Sequence, residues 1–284
     1  MFDFNLLPFI PARYWMVFAF FAGLLFGSFA NVVIYRLQKK QSIVKPPSYC
    51  PACNKKLKPI DLIPIVSWVF LRRRCRYCKQ KISARYPMVE LICGLLFASM
   101  VSYTSLLDYN HYATLSAIPM SIFALLLLII SFIDWDTQEI YDGLVILGAV
   151  VGVTWVGLGH FFPYIFPHAP AWYDALLGVV AGAAPLLIID RITLLVIKKD
   201  GFGYGDVKLM AMVGLFLGWR LTLGAFPFGV LASFPLAIYF MVKRKMHTGD
   251  EEFSGYMAFG PFLCIGVIGV MWFGEWVVRY LLGM

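Results

Sequence analysis

The amino-acid sequence predicts an all-α polytopic membrane protein of about eight transmembrane helices, with one small polar insertion after the first helix. Of its 284 residues, 61% are hydrophobic and only 14% are charged, and the mean hydropathy is +0.77. Apolar windows of about 20 residues, the length that a helix needs to cross a bilayer, recur along almost the whole chain. This composition excludes an ordinary soluble domain.

Eight apolar segments are predicted to form membrane helices. They span residues 14–35, 87–101, 118–133, 144–158, 175–197, 207–217, 223–242 and 257–280. The sixth is only about 16 Å long at helical rise, so we expect it either to continue past Gly218 or to be shielded by its neighbours. Gly23 and Gly27, four residues apart in the first segment, are typical of a close-packing face, although glycine is also generally common in membrane helices.

The polar insertion that follows the first helix is strongly basic. Residues 36–85 contain 14 of the 24 Lys and Arg residues and one acid, Asp61. Because cytoplasmic loops carry an excess of Lys and Arg, we predict a cytoplasmic domain over residues 37–86, between a first helix in 1–36 and a multi-helix membrane domain in 87–284. This concentration explains the net charge of +8 without a nucleic-acid partner. We expect the basic loop to meet anionic lipid headgroups.

The later loops test this topology. If the segments alternate from a cytoplasmic first loop, the loops 102–117 and 159–174 fall outside and contain no Lys or Arg. The loops 198–206 and 243–256 fall inside and contain five, namely Lys198, Lys199, Lys243, Arg244 and Lys245. Apart from three isolated arginines, the basic residues follow the rule. On this topology Asp134 and Asp206 both lie at cytoplasmic helix ends, so they can meet.

Asp206 lies at the start of the sixth segment and follows three closely spaced glycines, Gly201, Gly203 and Gly205. Glycines let the backbone bend tightly and approach another backbone closely. A carboxylate at a membrane boundary is a functional candidate by default. The alternative is a helix N-cap, for which three preceding glycines are not needed. Lys208 either anchors the helix at the interface or holds a carboxylate in its charged form.

Asp134 is the candidate partner of Asp206. It directly follows an apolar run, so it is the acid of residues 134–142 that lies closest to the bilayer. Asp136 is its main competitor, but helical spacing turns that residue roughly to the opposite face. Glu90, about one turn inside the second segment, lies at the same predicted level and is a candidate supporting residue. Two carboxylates brought together are typical of acid/base chemistry on a shared proton.

The basic insertion contains two Cys-x-x-Cys pairs, Cys50 with Cys53 and Cys75 with Cys78. With 21 residues between the inner cysteines, this spacing is typical of a Zn(II) site in a zinc-ribbon-like fold. The alternatives are two disulfides or four free thiols, but stable disulfides are rare in the cytoplasm. Four protein ligands close such a site, so we expect it to hold the fold and not to catalyse.

Together these motifs resemble the type IV prepilin peptidases, a family of bifunctional leader peptidases and N-methyltransferases of bacterial inner membranes. The resemblance covers nearly the whole chain. It is carried by FGSFANV at 26–32 with Arg36, the two cysteine pairs, ISARYPMVE at 82–90, the acidic stretch from Asp134, and GYGDVK at 203–208. Each motif is moderately specific, and the set in this order is highly specific.

The resemblance implies an aspartyl endopeptidase of the GxGD type with Asp134 and Asp206 as its catalytic aspartates. It implies removal of a short basic leader from type IV prepilins or type II secretion pseudopilins, then methylation of the new N-terminal amine with S-adenosylmethionine. Two positions depart from the family pattern. Tyr141 stands where many members have proline, and Arg73 with Arg74 replaces a Gly-Lys or Gly-Arg pair. The second departure bears more on methyl transfer than on cleavage.

Three other functions compete with this interpretation. One is a peptidase without methyltransferase activity, and another is a proton-coupled transporter. Transporters tend to place their sites near the midplane and to show repeated halves, whereas both acids here are predicted at one face and no repeat is visible. The third, a non-catalytic zinc-ribbon adaptor, leaves the glycine-flanked Asp206 unexplained. For the methyl-donor site, residues 26–31 and the region of Arg73 and Arg74 are the candidates.

Overall fold

The computed structural model describes residues 12–106, 111–198, 203–246 and 258–282. Within these ranges it describes the backbone alone at residues 12, 106, 111–113, 197, 240–246 and 275–282. Its eight α-helices are α1 (Ala12–Gln38), α2 (Val66–Phe70), α3 (Arg85–Leu106), α4 (Ala117–Thr137), α5 (Asp142–Phe161), α6 (Trp172–Ile197), α7 (Tyr204–Met246) and α8 (Gly260–Leu282). Predicted features that lie outside the described residues or side chains are Lys199, Gly201, Met257 and the basic group 243–245.

The all-helical membrane class is confirmed. Within the described ranges, six helices are long and apolar enough to cross a membrane, namely α1 and α3 to α7. Helix α8 carries a shorter apolar stretch, Gly260–Gly274. Each of the eight predicted apolar segments falls on one of these helices.

Helix α7 contains two of the predicted segments. Its 43 residues are interrupted at Gly218, where the backbone leaves the helical conformation at φ 71° and ψ 177°. A positive φ is readily available to glycine, whereas other residues adopt it at a cost. The sixth predicted segment is therefore a short first leg that does not continue past Gly218.

The two legs of α7 run in opposite directions. Gly224 lies beside Val270 and Gly229 beside Phe262, so the second leg is antiparallel to α8 and runs toward the beginning of α8. The first leg starts from that same end, where the two candidate aspartates lie. The break at Gly218 is therefore a turn between two antiparallel helical legs.

The chain divides into two compact units. The first comprises Met1–Leu125 and Tyr164–Phe166, and the second comprises Leu126–Pro163 and Pro167–Met284. The first unit contains α1, the insertion and α3. The second contains the last part of α4 and all of α5 to α8. This division falls within α4, whereas the sequence-based boundary between residues 86 and 87 follows the change in composition.

In the first unit, α1 and α3 pack closely through glycine. A Cβ atom on Gly27 would lie 2.7 Å from the Cα atom of Glu90, and one on Gly23 would lie 2.7 Å from the carbonyl oxygen of Cys93. Neither distance allows a side chain. The two glycines therefore form the close-packing face that their spacing predicts, which is how small residues bring membrane helices together.

The insertion is tied to the ends of these two helices. The guanidinium of Arg36, which is buried at the end of α1, donates hydrogen bonds to the carbonyl oxygens of Ser42, Ile43 and Pro46. Within the insertion, Trp68 Nε1 donates to the carbonyl oxygen of Ile82 at 3.2 Å. A buried cation satisfied by three carbonyls fixes the chain where it leaves α1.

Candidate functional site

Asp134 lies in the last turn of α4 and is only 5% exposed. Its Oδ2 atom accepts a 3.0 Å hydrogen bond from the backbone N–H of Gly260. The helix ends just beyond it, because Gln138 takes a left-handed conformation with φ 55° and its N–H returns to the carbonyl oxygen of Asp134. The aspartate is thereby held at a helix end by a partner far away in sequence.

Gly260 is the first residue of α8, and its N–H has no acceptor within the helix. The positive end of the helix dipole therefore points at Asp134. A Cβ atom on Gly260 would lie 2.7 Å from Asp134 Oδ2, so any larger residue would displace the carboxylate. Sequence reasoning missed this residue. The available signal was the Gly260-Pro261 pair at the start of an apolar run, which is typical of a helix beginning.

Asp206 lies in the first turn of α7 and is 9% exposed. The helix begins two residues earlier at Tyr204, so Asp206 is not the N-cap residue. Asp206 and Asp134 are close enough for their charges to interact. The structure thus brings together the two acids that the sequence singled out, both in the second unit.

Gly205 explains part of the glycine-rich motif. A Cβ atom there would lie 3.0 Å from Cβ of Ile140, in the turn between α4 and α5. The start of α7 can therefore lie directly against the turn that follows Asp134. At Gly203 a Cβ atom would meet nothing closer than 3.9 Å, so crowding does not require glycine at that position.

The other acids of the stretch 134–142 differ from this pair because their side chains are exposed to solvent. Asp136 and Glu139 are both exposed, whereas Asp134 is buried. Asp142 forms an ion pair with Lys208, in which Nζ lies 2.7 Å from Oδ1. Both of these side chains are about half exposed, so the pair contributes at most about 1 kcal/mol to stability. Lys208 therefore links the starts of α5 and α7, and the carboxylate that it pairs with is Asp142.

Glu90 belongs to the first unit, whereas the two aspartates belong to the second. Its side chain is buried in α3. The Oε2 atom accepts a 2.7 Å hydrogen bond from the backbone N–H of Ile65 in the insertion, and the hydroxyl of Ser28 on α1 also interacts with the carboxylate. Glu90 therefore joins α3, α1 and the insertion.

The four cysteines of the insertion converge. Their sulfur atoms all lie within 4.8 Å of one another, and the Sγ atoms of Cys50 and Cys78 are 3.9 Å apart. None of the four is in a disulfide. A tetrahedral Zn(II) with bonds of about 2.3 Å separates its sulfur ligands by about 3.8 Å. The cluster therefore has the donor set and the spacing of a closed four-cysteine metal site.

Two matching turns position these sulfur atoms. In each, the residue four positions after the first cysteine donates its N–H back to that cysteine, Asn54 to Cys50 and Lys79 to Cys75. Both donors have a left-handed backbone, with φ of 56° and 61°. Although burial disfavours the Cys75 thiolate, hydrogen bonds from backbone N–H groups of its own turn and from neighbouring cysteines lower the pKa of this thiol below its ordinary value. Such a thiol readily supplies the thiolate that a metal needs.

Comparison with known proteins identifies the family. Residues 21–104 match the bacterial peptidase A24 N-terminal domain, and residues 121–242 match the type IV leader peptidase family. A prepilin leader peptidase/N-methyltransferase of Pseudomonas putida is 33% identical over 288 residues, which cover 92% of each chain. The chain belongs to the type IV leader peptidase family.

Other members of the family are similar to the same extent. The prepilin leader peptidase/N-methyltransferase of Klebsiella pneumoniae is 36% identical over 241 residues, covering 82% of this chain and 97% of the relative. That of Myxococcus xanthus is 35% identical over 242 residues, covering 83% of this chain and 68% of the relative. No solved structure matches the chain significantly. The resemblance drawn from the motifs is therefore confirmed by full-length relatives.

The two departures from the family pattern have simple backbone explanations. Tyr141 has φ −72° and ψ 120°, a conformation that proline also adopts. A proline at this position would therefore fit the turn before α5 without a change in the backbone. Arg73 has φ 64°, which favours glycine, the residue that many members of the type IV leader peptidase family have there. Its guanidinium lies over the ring of Trp68, 5.0 Å from the centroid.

Proposed function

We propose that this chain is an aspartyl endopeptidase of the membrane that removes the leader from type IV prepilins or pseudopilins and then methylates the new N-terminus. The observation that supports the peptidase most directly is the burial of Asp134 and Asp206 together at helix ends, one of them bound to the beginning of α8. The names of the full-length relatives support both activities. The residue roles below rest on this geometry.

The two aspartates share one proton and hold the attacking water. A backbone N–H can only donate, so Oδ2 of Asp134 is an acceptor and cannot carry the shared proton. We assign the ionised state to Asp134 because the positive start of α8 stabilises its negative charge, and its other oxygen takes a proton from the water as that water attacks the scissile carbonyl. Asp206 carries the shared proton and donates it toward the carbonyl oxygen.

The cysteine cluster fits a structural metal, and we assign Zn(II) to it. Cys50, Cys53, Cys75 and Cys78 would hold the ion and close its coordination sphere. Its contribution is to fold the insertion, because the two turns that carry the cysteines are held by only a few backbone hydrogen bonds. Without the ion, the four thiols would make only weak contacts with one another, so the two turns would be joined less firmly.

We assign the aspartates and the basic insertion to the cytoplasmic side of a bacterial inner membrane, and the charge pattern of the loops supports this. A prepilin whose apolar helix stays in the bilayer would then present its basic leader to this side. When bound, S-adenosylmethionine supplies the methyl group for the second activity. The order is fixed by chemistry, since the amine that is methylated exists only after cleavage.

The experiment uses purified full-length protein in detergent, with a prepilin and S-adenosylmethionine. The N-terminus of the product is read by intact mass. We expect a product that lacks the leader and is heavier by one methyl group. A product without the added methyl group would limit the chain to the peptidase activity. Full-length prepilin after prolonged incubation would contradict the proposal.

A further inference from the structure

We propose that the methyl donor binds in a cavity of the first unit, with Glu90 as the anion that faces its positive charge and Trp68 as part of its aromatic wall. This inference rests on the methyltransferase half of the proposed function. It deepens that proposal, because it assigns the second activity a site built of residues of the first unit, apart from the two aspartates.

The cavity has a volume of about 560 Å³, within the range of cavities that hold nucleotide-sized and drug-sized ligands. It is enclosed by the last turns of α1, by the insertion, and by the first turns of α3. Residues of the stretch 26–31 line it, namely Ser28, Phe29 and Asn31, whereas Arg73 and Arg74 do not. One of the two candidate regions from the sequence therefore contributes directly.

Two carboxylates line the cavity, and they differ in their partners. Asp61 is ion-paired to Arg76, with Nε 2.6 Å from Oδ1, and also accepts a hydrogen bond from the hydroxyl of Tyr77. Glu90 accepts hydrogen bonds from neutral donors, the Ile65 N–H among them, and takes part in none of the ion pairs found between described residues. Glu90 is therefore the acid whose charge a ligand can balance.

Three cationic side chains line the cavity, of which Lys81 is exposed and the two arginines are already engaged by other groups. The guanidinium of Arg36 donates hydrogen bonds to carbonyl oxygens of the loop 42–46, and Arg76 forms an ion pair with Asp61. A buried carboxylate without a countercharge is costly, and the cost falls when a cation binds beside it. S-adenosylmethionine carries two positive groups, a sulfonium and an ammonium, and so it matches Glu90 in charge.

Aromatic rings supply the rest of the match. Tyr35, Trp68 and Tyr86 all line the cavity. The indole of Trp68 is fixed by its hydrogen bond to the Ile82 carbonyl oxygen and by the guanidinium of Arg73 over its ring. Rigid aromatic faces stack on a nucleobase and attract cations. An adenosyl group with a neighbouring sulfonium therefore meets both requirements in one cavity.

The test measures equilibrium binding of S-adenosylmethionine to the purified full-length protein in detergent by isothermal titration calorimetry. Glu90→Gln keeps the acceptor for the Ile65 N–H and removes the charge, and we expect it to weaken binding by about tenfold or more. Trp68→Leu removes the aromatic face, and we expect a loss of roughly tenfold. The matched control is Glu139→Gln, the same change at an exposed acid, which should bind as the wild type does.

The zinc content and the melting temperature of each variant serve as the test of folding, and both should match those of the wild type. A variant that fails this test is replaced by photocrosslinking of radiolabelled S-adenosylmethionine to the wild-type protein. The label is expected on peptides from residues 28–36 or 61–90. Label confined to the second unit would overturn the assignment.

The outcomes separate this inference from the proposed function. If the wild type binds the methyl donor and methylates cleaved prepilin while Glu90→Gln and Trp68→Leu bind it equally well, only the location is wrong. If the wild type neither binds the donor nor methylates, the methyltransferase half of the proposed function fails and this site fails with it. Weakened binding in both variants with zinc content and melting temperature retained supports the site.

Discussion

The backbone N–H of Gly260 donates a 3.0 Å hydrogen bond to Asp134, a residue 126 positions earlier in the chain. The bond makes the start of α8 part of the candidate site and fixes one oxygen of Asp134 as an acceptor. It also distinguishes the two aspartates, since the positive start of α8 stabilises the ionised form of Asp134 and so favours the shared proton on Asp206.

The first prediction concerns the glycine in this bond. In Gly260→Ala the added Cβ would lie 2.7 Å from Asp134 Oδ2, and overpacking of this kind costs about 1–3 kcal/mol. We expect leader cleavage to fall roughly tenfold or more, because the carboxylate must move. Gly143→Ala is the control, since its Cβ would meet nothing within 4 Å. Equal rates for the two variants would show that the position of Asp134 does not depend on Gly260.

The second prediction concerns the metal. Elemental analysis of the purified protein should find about one zinc per chain. Cys75→Ser should lose the zinc and lower the melting temperature of the insertion, because a hydroxyl is a poor replacement for a thiolate ligand. Cys93→Ala, in the apolar helix α3, should keep the zinc. Zinc retained in full by Cys75→Ser would contradict the assigned ligand set.

The third prediction concerns the departure at Arg73. Its left-handed backbone costs a non-glycine residue about 1–2 kcal/mol, whereas its stacking on Trp68 returns about 0.5–1 kcal/mol at an exposed position. We therefore expect Arg73→Gly to keep the zinc and to change the free energy of unfolding by no more than about 1 kcal/mol. Thermal unfolding followed with zinc content would measure this.

Arg74→Gly is the matched control for Arg73→Gly. Arg74 forms a β-bridge with Lys81 and does not have a positive φ, so glycine there only adds freedom to the unfolded chain and should destabilise the insertion. If Arg73→Gly were the more damaging of the two, the backbone explanation of the family pattern would be wrong.

The sequence predicted what depends on local pattern. Asp134 and Asp206 stand at the ends of apolar runs, and the two cysteine pairs have metal-ligand spacing, so each could be recognised within a few residues. The contact between Gly260 and Asp134 could not be predicted, because it joins distant segments and depends on how α8 packs. The partner of Lys208 is a similar case, since Asp142 was one of several acids nearby.

The sequence was also a poor guide to backbone conformation. The break at Gly218 depends on a single φ value, and an apolar segment of eleven residues does not show whether it turns or continues. Arg73 is the opposite case. The sequence identified Arg73 as a departure from the family pattern. Only the positive φ in the structure shows that the backbone at this position favours glycine.

The central claim is that Asp134 and Asp206 together cleave the leader, and the most direct measurement is the intact mass of a prepilin incubated with single variants. Asp134→Asn and Asp206→Asn keep the shape of each side chain and remove the titratable group. We expect each to reduce the cleavage rate by roughly 10²–10⁴, the usual contribution of acid/base catalysis. Asp136→Asn, at an exposed acid two residues from Asp134, should cleave within about twofold of the wild type. Full cleavage by either Asp134→Asn or Asp206→Asn would contradict the pair.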